Sequence, residues 1–261
     1  MEIFHKESKV KLFLQRGGLW LTCFSLERYS MAIRIQMQLN EKLFLRDPQD
    51  TKLGRNIIRH SILLIDEIGF EQFTFKKLAE KIESTEASVY RYFENKHLLL
   101  VYLLCWYWEW TRFQLDFNTN NIEDPCQKLR IAIATIVNTA KRNATIDFVD
   151  EDILHKVVVA EGVKGYHSKA VDQENQEGFF ATYKSLAVKI ADFITEINPG
   201  FSYPRALAST LLEMAKDQTY FAEHLPRLTD IEVKNGDLRQ VEELLLDFAF
   251  RLVKPEVLDA C

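Results

Sequence analysis

The stretch Thr74–Lys96, TFKKLAEKIESTEASVYRYFENK, decides the fold. Thr74 has the side-chain oxygen that an N-cap needs, and Leu78, Ala79 and Ile82 recur at helical spacing over Phe75–Ile82. Glu83-Ser84-Thr85 reads as a tight turn. Thr85 can cap a second short helix, Glu86–Phe93, whose positive end suits Glu86. Leu78, Ala79, Val89 and Phe93 are the residues expected to be buried where the two helices cross, and the small Ala79 permits a close approach. Asn95 then caps a long helix from about Lys96 to Phe117.

Upstream, Arg46-Asp47-Pro48-Gln49-Asp50 is a break, after which Asp50 or Thr51 can cap an amphipathic helix carrying Ile57, Ile58, Ser61, Ile62, Leu64, Ile65 and Ile68. Gly69 suits its C-terminal end. Downstream, the periodicity predicts helices at about 125–142, 150–161, 173–197, 203–224 and 237–253. Breaks fall at Asp124-Pro125, Gly162–Gly165, Asn198-Pro199-Gly200 and Leu225–Gly236, and Gly162–Gly178 reads as a flexible polar stretch. No convincing alternating strand and no internal repeat stands out. The expected fold class is all-α: a three-helix head at 51–97, a larger helical body at 98–261, and an N-terminal extension at 1–50, partly disordered. Met31 opens a second plausible start, so residues 1–30 are expected to be an extension or a start-site artefact.

Hydrophobic residues make up 47% of the 261 and Gly and Pro number only 9 and 6, which favours long helices over a turn-rich β fold. Cys23, Cys105, Cys126 and Cys261 form no CxxC pair and read as reduced thiols of a cytoplasmic protein. No apolar run approaches the roughly 18–20 residues of a membrane span. The net charge is -5, so the chain is not basic throughout. Residues 46–97 are near neutral, with Arg46, Lys52, Arg55, Arg59, Lys76, Lys77, Lys81, Arg91 and Lys96 against a similar number of acids, which leaves 98–261 clearly acidic.

A short helix held across another has the size of the DNA major groove. Thr85, Glu86, Ala87, Ser88, Tyr90, Arg91 and Tyr92 would stand on or near its outward face. Ser88, Arg91 and Tyr92 can hydrogen-bond base edges or phosphates. Thr74 and Lys96 lie at helix N-termini, whose N–H groups attract phosphate. The segment resembles the DNA-binding head of the tetracycline-repressor (TetR) family of transcription regulators. The resemblance covers roughly residues 55–105 and rests on Thr74, Leu78-Ala79, Tyr90-Arg91-Tyr92-Phe93 and Lys96. It departs at the turn, where the family usually has Gly-Val-Ser and this chain has Glu83-Ser84-Thr85. It departs again at Glu86, where a Lys or Arg is common. The resemblance implies a homodimer, most often a repressor, on double-stranded DNA.

In the body, Tyr102, Trp106, Trp110, Phe113 and Phe117 form one stripe of the long helix. Core packing is the plainer reading; the sharper one makes Trp106, Trp110 and Phe113 part of a pocket for an unknown small-molecule effector. Trp108, on the opposite side, is expected to meet another surface, such as the head. The last helix is apolar over a wide arc, and Ala206, Ala208, Ser209 and Ala215 allow close approach on the one before. These two helices are expected to pair with their copies in a twofold dimer through Leu211, Val241, Leu244, Leu245, Phe248 and Leu252. His155, His167 and His224 lack metal-ligand spacing, and no GxSxG, P-loop, dinucleotide fingerprint or HExxH occurs. The expectation is therefore no metal, no cofactor and no enzyme. It is a DNA-binding regulator that a ligand releases from a near-palindromic operator. The alternative is a helical ligand-binding or scaffold protein with a vestigial head.

Overall fold

The computed structural model describes residues 10–11, 19–23, 34–139 and 148–254. It opens with β1 (Val10–Lys11), β2 (Leu19–Cys23) and β3 (Arg34–Met37), an antiparallel sheet in which Val10 pairs with Cys23 and Leu19 with Met37. The sequence reading had no strand here. Runs of two to five residues are too short for a period-2 pattern to register. Single turns of 3₁₀ helix at Glu41–Leu43 and Pro48–Asp50 follow.

The head is α1 (Lys52–Gln72), α2 (Phe75–Lys81) and α3 (Glu86–Tyr90). The body is α4 (Lys96–Thr119), α5 (Pro125–Asn138), α6 (Glu151–Glu161), α7 (Val163–Tyr166), α8 (Val171–Gln176), α9 (Ala181–Ile197), α10 (Pro204–His224) and α11 (Arg239–Val253). The stretch read as a flexible polar segment at 162–178 thus carries the short helices α7 and α8. Their single turns bury only Gly165 and Glu174, too little for an apolar stripe to show in sequence. The last residues of the helix expected at 125–142 lie outside the described residues.

Caps set the helix starts. Thr51 Oγ1 accepts from the Gly54 N–H at 2.9 Å, and Thr74 Oγ1 from Lys77 N–H at 3.2 Å. Thr85 Oγ1 accepts from Ser88 N–H at 3.3 Å and Asn95 Oδ1 from Leu98 N–H at 2.9 Å. Each satisfies an N–H that the helix itself cannot. Gly69, at φ 74°, bends the chain out of α1. Gly54 allows the first turn of α1 to press on the preceding turn, since a Cβ there would lie 2.3 Å from the Pro48 carbonyl oxygen.

One apolar core runs from head to body along α4, which is buried continuously from Leu99 to Thr111. It packs on α5, α6, α7 and α9, with α10 and α11 stacked behind α9 and α5. The described end of the N-terminal extension belongs to this structure. Met37 and Leu43 are buried, and Gln49 bonds both backbone groups of Met37, donating to its carbonyl at 2.8 Å and accepting from its N–H at 3.0 Å. Asn40 donates to the Glu177 carbonyl at 2.8 Å, and Leu45 N–H donates to the Tyr92 carbonyl, also at 2.8 Å. The segment therefore straps the end of α3 to the body.

Candidate functional site

Helix α3 is held by what it buries. Val89 and Phe93 have no exposed surface and pack against Leu78 and Ala79 of α2. What remains outward is Thr85, Glu86, Ala87, Tyr90 and Arg91, all exposed, with Thr74 exposed at the start of α2. Tyr90 stands edge-on to Phe75, ring centroids 4.9 Å apart, with nearly half its surface open. Arg91 donates to Ser88 Oγ at 3.1 Å, and Ser88 Oγ lies 2.9 Å from Thr85 Oγ1. Ser88 is itself buried, so its hydroxyl steadies its two neighbours.

Like the buried Ser88, Tyr92, expected on or near the outward face, and Lys96, expected to meet phosphate at a helix N-terminus, are engaged inside the head. Tyr92 is 3% exposed, and its hydroxyl lies 2.7 Å from Thr51 Oγ1 at the start of α1. Lys96 Nζ donates to the carbonyls of Phe70, Glu71 and Phe73 at 3.1, 3.2 and 3.2 Å. It also stands 4.8 Å from the centre of the Phe70 ring. The Phe70 carbonyl also accepts from the Phe73 N–H at 3.3 Å, and at this end of α1, where carbonyls run short of helical donors, one ammonium reaches three of them at once. The side chain of Lys96 thus closes α1 onto α4. Arg46, noticed in sequence only as a charge, is exposed and lies over Tyr92, its guanidinium carbon 5.7 Å from the ring centre. Only the strap brings it to the end of α3, so nothing local in sequence marks it.

The turn before α3 departs from ordinary backbone. Glu83 sits at φ 51°, in the left-handed region that glycine tolerates best. This is the position where the sequence differs from the Gly of the family it resembles.

In the body, Trp106 and Trp110 are buried and stacked, centroids 6.3 Å apart, and Phe113 continues the stack at 5.5 Å from Trp110. The enclosed cavity lies on the other side of α4, lined by Leu104, Cys105, Trp108, Tyr166, Phe179 and Tyr183 among others. Trp108, expected to meet the head, instead meets Tyr183 of α9 at 4.8 Å and Lys216 of α10. Beside it, Glu213 accepts hydrogen bonds from Lys216 at 2.7 Å, from Tyr166 at 2.8 Å and from Tyr183. Burial pushes the Glu213 carboxyl up, but the charge and hydrogen bond of Lys216, with those of the two tyrosines, hold it below the ordinary range. Burial and the adjacent Glu213 charge push both tyrosine hydroxyls well up, so they stay protonated donors. Trp108, Tyr166, Tyr183, Glu213 and Lys216 come from four different helices, and sequence spacing could not have united them.

Of the residues expected at a dimer interface, Leu211, Val241 and Leu245 have no exposed surface and belong to the protomer's own core. A wide apolar arc was misread as one surface; its inner part faces α5 and α10. Leu244 is half-buried, whereas Phe248 and Leu252 are 44% and 55% exposed. Among the described residues no group of three or more His, Cys, Asp or Glu is arranged to hold a metal, and no helix is long and apolar enough to cross a membrane.

Residues 57–103 match the family model described as bacterial regulatory proteins, tetR family. No curated protein sequence matches the chain. Solved structures share the fold at low identity. AibR, solved with isovaleryl coenzyme A and operator DNA, is similar at TM-score 0.50 and 16% identity over 76% of this chain and 98% of that one. The fatty acid degradation regulator FadR from Bacillus halodurans is similar at 0.50 and 18%, over 73% and 93%. The superantigen PfiT is similar at 0.51 and 14%, over 76% and 94%, so the body's fold alone does not decide what the chain does. The matched segment runs from within α1 to the first turns of α4, so it is the head of this chain that is similar to the tetR family of bacterial regulatory proteins.

Proposed function

We propose that the chain is a cytoplasmic, homodimeric regulator of transcription, most simply a repressor, that binds a near-palindromic operator and is released by a small ligand held in the body. It has no catalytic role in this reading. The head spans 51–97 and the body 98–261. The observation that carries the proposal is α3. Its buried side anchors it on α2 while Thr85, Glu86, Ala87, Tyr90 and Arg91 are left outward, an arrangement a purely structural helix has no need of. Arg46 and Arg91 supply positive charge at the far end of that face, and Tyr90 supplies a ring and a hydroxyl. Thr74 and the backbone at Lys96 are assigned to phosphate. AibR, which shares the fold, was solved with both an operator and a coenzyme A ester, which supports a two-ligand reading here.

The dimer is assigned to the exposed Phe248 and Leu252 of α11, with Leu244 at the edge, together with the open side of α10. A four-helix bundle of two such pairs removes this apolar surface from water.

Titration of the purified protein with DNA from its own promoter region tests the proposal. Saturable binding, preferred over unrelated DNA and weakening steeply with salt, is expected. Equal binding to both DNAs would favour the vestigial-head alternative, which the carboxylate of Glu86 on the outward face supports.

A further inference from the structure

We propose that the aromatic box around Lys216 is a binding site for an organic cation, a quaternary or protonated amine on an apolar body, which takes the place of the Lys216 ammonium. The inference rests on the ligand-responsive reading above and names the chemical class of its effector.

Lys216 is 5% exposed, and its Nζ stands 5.5 Å from the ring centre of Trp108 and 5.4 Å from that of Tyr166. Tyr183 closes the box, stacked on Tyr166 at 6.2 Å and 17°, and tilted against Trp108 at 4.8 Å. Trp108 and Tyr166 each present a ring face to the ammonium. Glu213 supplies the counter-charge, bonded to Lys216 and to both tyrosine hydroxyls. Lys216 also donates to the Tyr166 hydroxyl at 2.9 Å. The protein's own ammonium thus occupies what is chemically a cation site.

The charge balance favours exchange for another cation. Asp217 adjoins the cluster, and burial together with the Glu213 charge pushes its carboxyl up. Two carboxylates then face one ammonium. An anion entering here meets both carboxylates and two ring faces, and the hydroxyl donors it needs are already given to Glu213.

Space adjoins the cluster on two sides. On one side lies the enclosed cavity bounded by Trp108, Tyr166 and Tyr183, of about 10 Å³. On the other lies a groove of about 290 Å³ along α10, lined by Glu213, Met214, Asp217 and Phe221 among others. Glu213 stands between the two. Moving the flexible Lys216 side chain into the groove frees the box for a small onium head, and Met214 and Phe221 offer apolar surface to its body. In the proposed dimer the groove faces the second copy, so ligand and dimer geometry are coupled there.

Isothermal titration calorimetry of the full chain with benzyltrimethylammonium, and separately with benzoate, tests this. Saturable heat with the cation and none with benzoate is expected. Lys216→Met removes the resident competitor and should tighten the cation at least about fivefold, while Trp108→Leu should weaken it about tenfold. Glu213→Gln serves as a second weakening variant if Trp108→Leu melts early. Tighter binding of benzoate, cation affinity unchanged in the weakening variants, or no saturable heat in either the wild type or a folded Lys216→Met protein overturns the inference. Promoter binding measured alongside separates the two readings. Specific DNA binding without cation heat removes only the cation site. Cation heat without specific DNA binding removes the regulator reading and leaves the site.

Discussion

His97 Nε2 lies 2.7 Å from Glu174 Oε1, joining the first turn of α4, just past α3, to α8 of the body. Glu174 is buried, and the segment that follows it is tied down twice more. The Glu177 carbonyl accepts from Asn40 at 2.8 Å and the Phe179 carbonyl from the Cys105 thiol at 3.1 Å. Phe179 also lines the cavity beside Trp108. Residues 174–179 therefore touch the cavity, the strap and the root of the head together, a physical route by which the proposed body ligand would shift α3.

If that route is energetically real, His97 and Glu174 are coupled. Urea denaturation of His97→Gln, Glu174→Gln and the double variant should give a coupling of about 1–2 kcal/mol, as for a charge-assisted hydrogen bond with one partner buried. Strictly additive effects would show that the contact carries nothing between head and body.

On the proposed DNA face, Arg91 and Lys96 should behave differently. Arg91→Ala should weaken promoter binding about tenfold and reduce the salt dependence by about one ion, with little change in stability. Lys96→Ala removes the ammonium from the carbonyls of Phe70, Glu71 and Phe73, of which Phe70 keeps the Phe73 N–H, and should lower stability by about 1–3 kcal/mol before any effect on DNA is read. Fluorescence titration at several salt concentrations, beside thermal melts, checks both. A stable Lys96→Ala protein with a reduced salt dependence would return Lys96 to the phosphate contacts.

At the proposed dimer surface, Phe248→Glu or Leu252→Glu should yield a folded monomer in sedimentation. Leu245→Ala should instead cost about 2–5 kcal/mol of stability, because Leu245 has no exposed surface in the protomer. A dimer that survives both charged substitutions would move the interface elsewhere.

The head was legible in sequence because its signals are local. Thr51, Thr74, Thr85 and Asn95 are caps within three residues of the N–H they satisfy, and Leu78, Ala79, Val89 and Phe93 repeat at helical period. Tyr92 and Lys96 were misplaced for the opposite reason. Their partners, Thr51 and Phe70–Phe73, are 23 to 41 residues away, and a motif records a residue without recording which way it points. The Lys216 box is assembled from α4, α7, α9 and α10, so no window of sequence contains it. The wide apolar arc of α11 showed that the helix is buried on more than one side. It did not show which side faces its own protomer.

The Glu83 turn carries a cost that a single substitution should recover. A non-glycine residue in the left-handed region is strained by about 1–2 kcal/mol, and glycine returns about half of that through its more flexible unfolded state. Glu83→Gly should therefore stabilise the head by about 0.5–1 kcal/mol in urea titrations. A loss of stability would mean that the Glu83 side chain is doing something the backbone angle does not reveal.

The most direct pH test falls on His155. It is 8% exposed in α6, with Nδ1 2.9 Å from the Tyr107 hydroxyl. Burial pushes its imidazole down from 6.5 to about 4. The folded chain therefore keeps His155 neutral at a pH where the unfolded chain has already protonated it. The unfolded state binds the extra proton between these two values, so stability is full above about 6.5 and is lost as pH falls toward 4. The whole window is worth about 3 kcal/mol, and roughly two thirds of it should be spent by pH 5. Carboxylates also titrate at the lower end, so the measurement is a difference. His155→Asn keeps an acceptor for Tyr107 but cannot titrate. The stability gap between wild type and His155→Asn in urea should shrink by about 2 kcal/mol from pH 7 to pH 5. Parallel curves for the two proteins would mean that His155 is protonated in the folded state, and that the Tyr107 contact is not the neutral hydrogen bond described here.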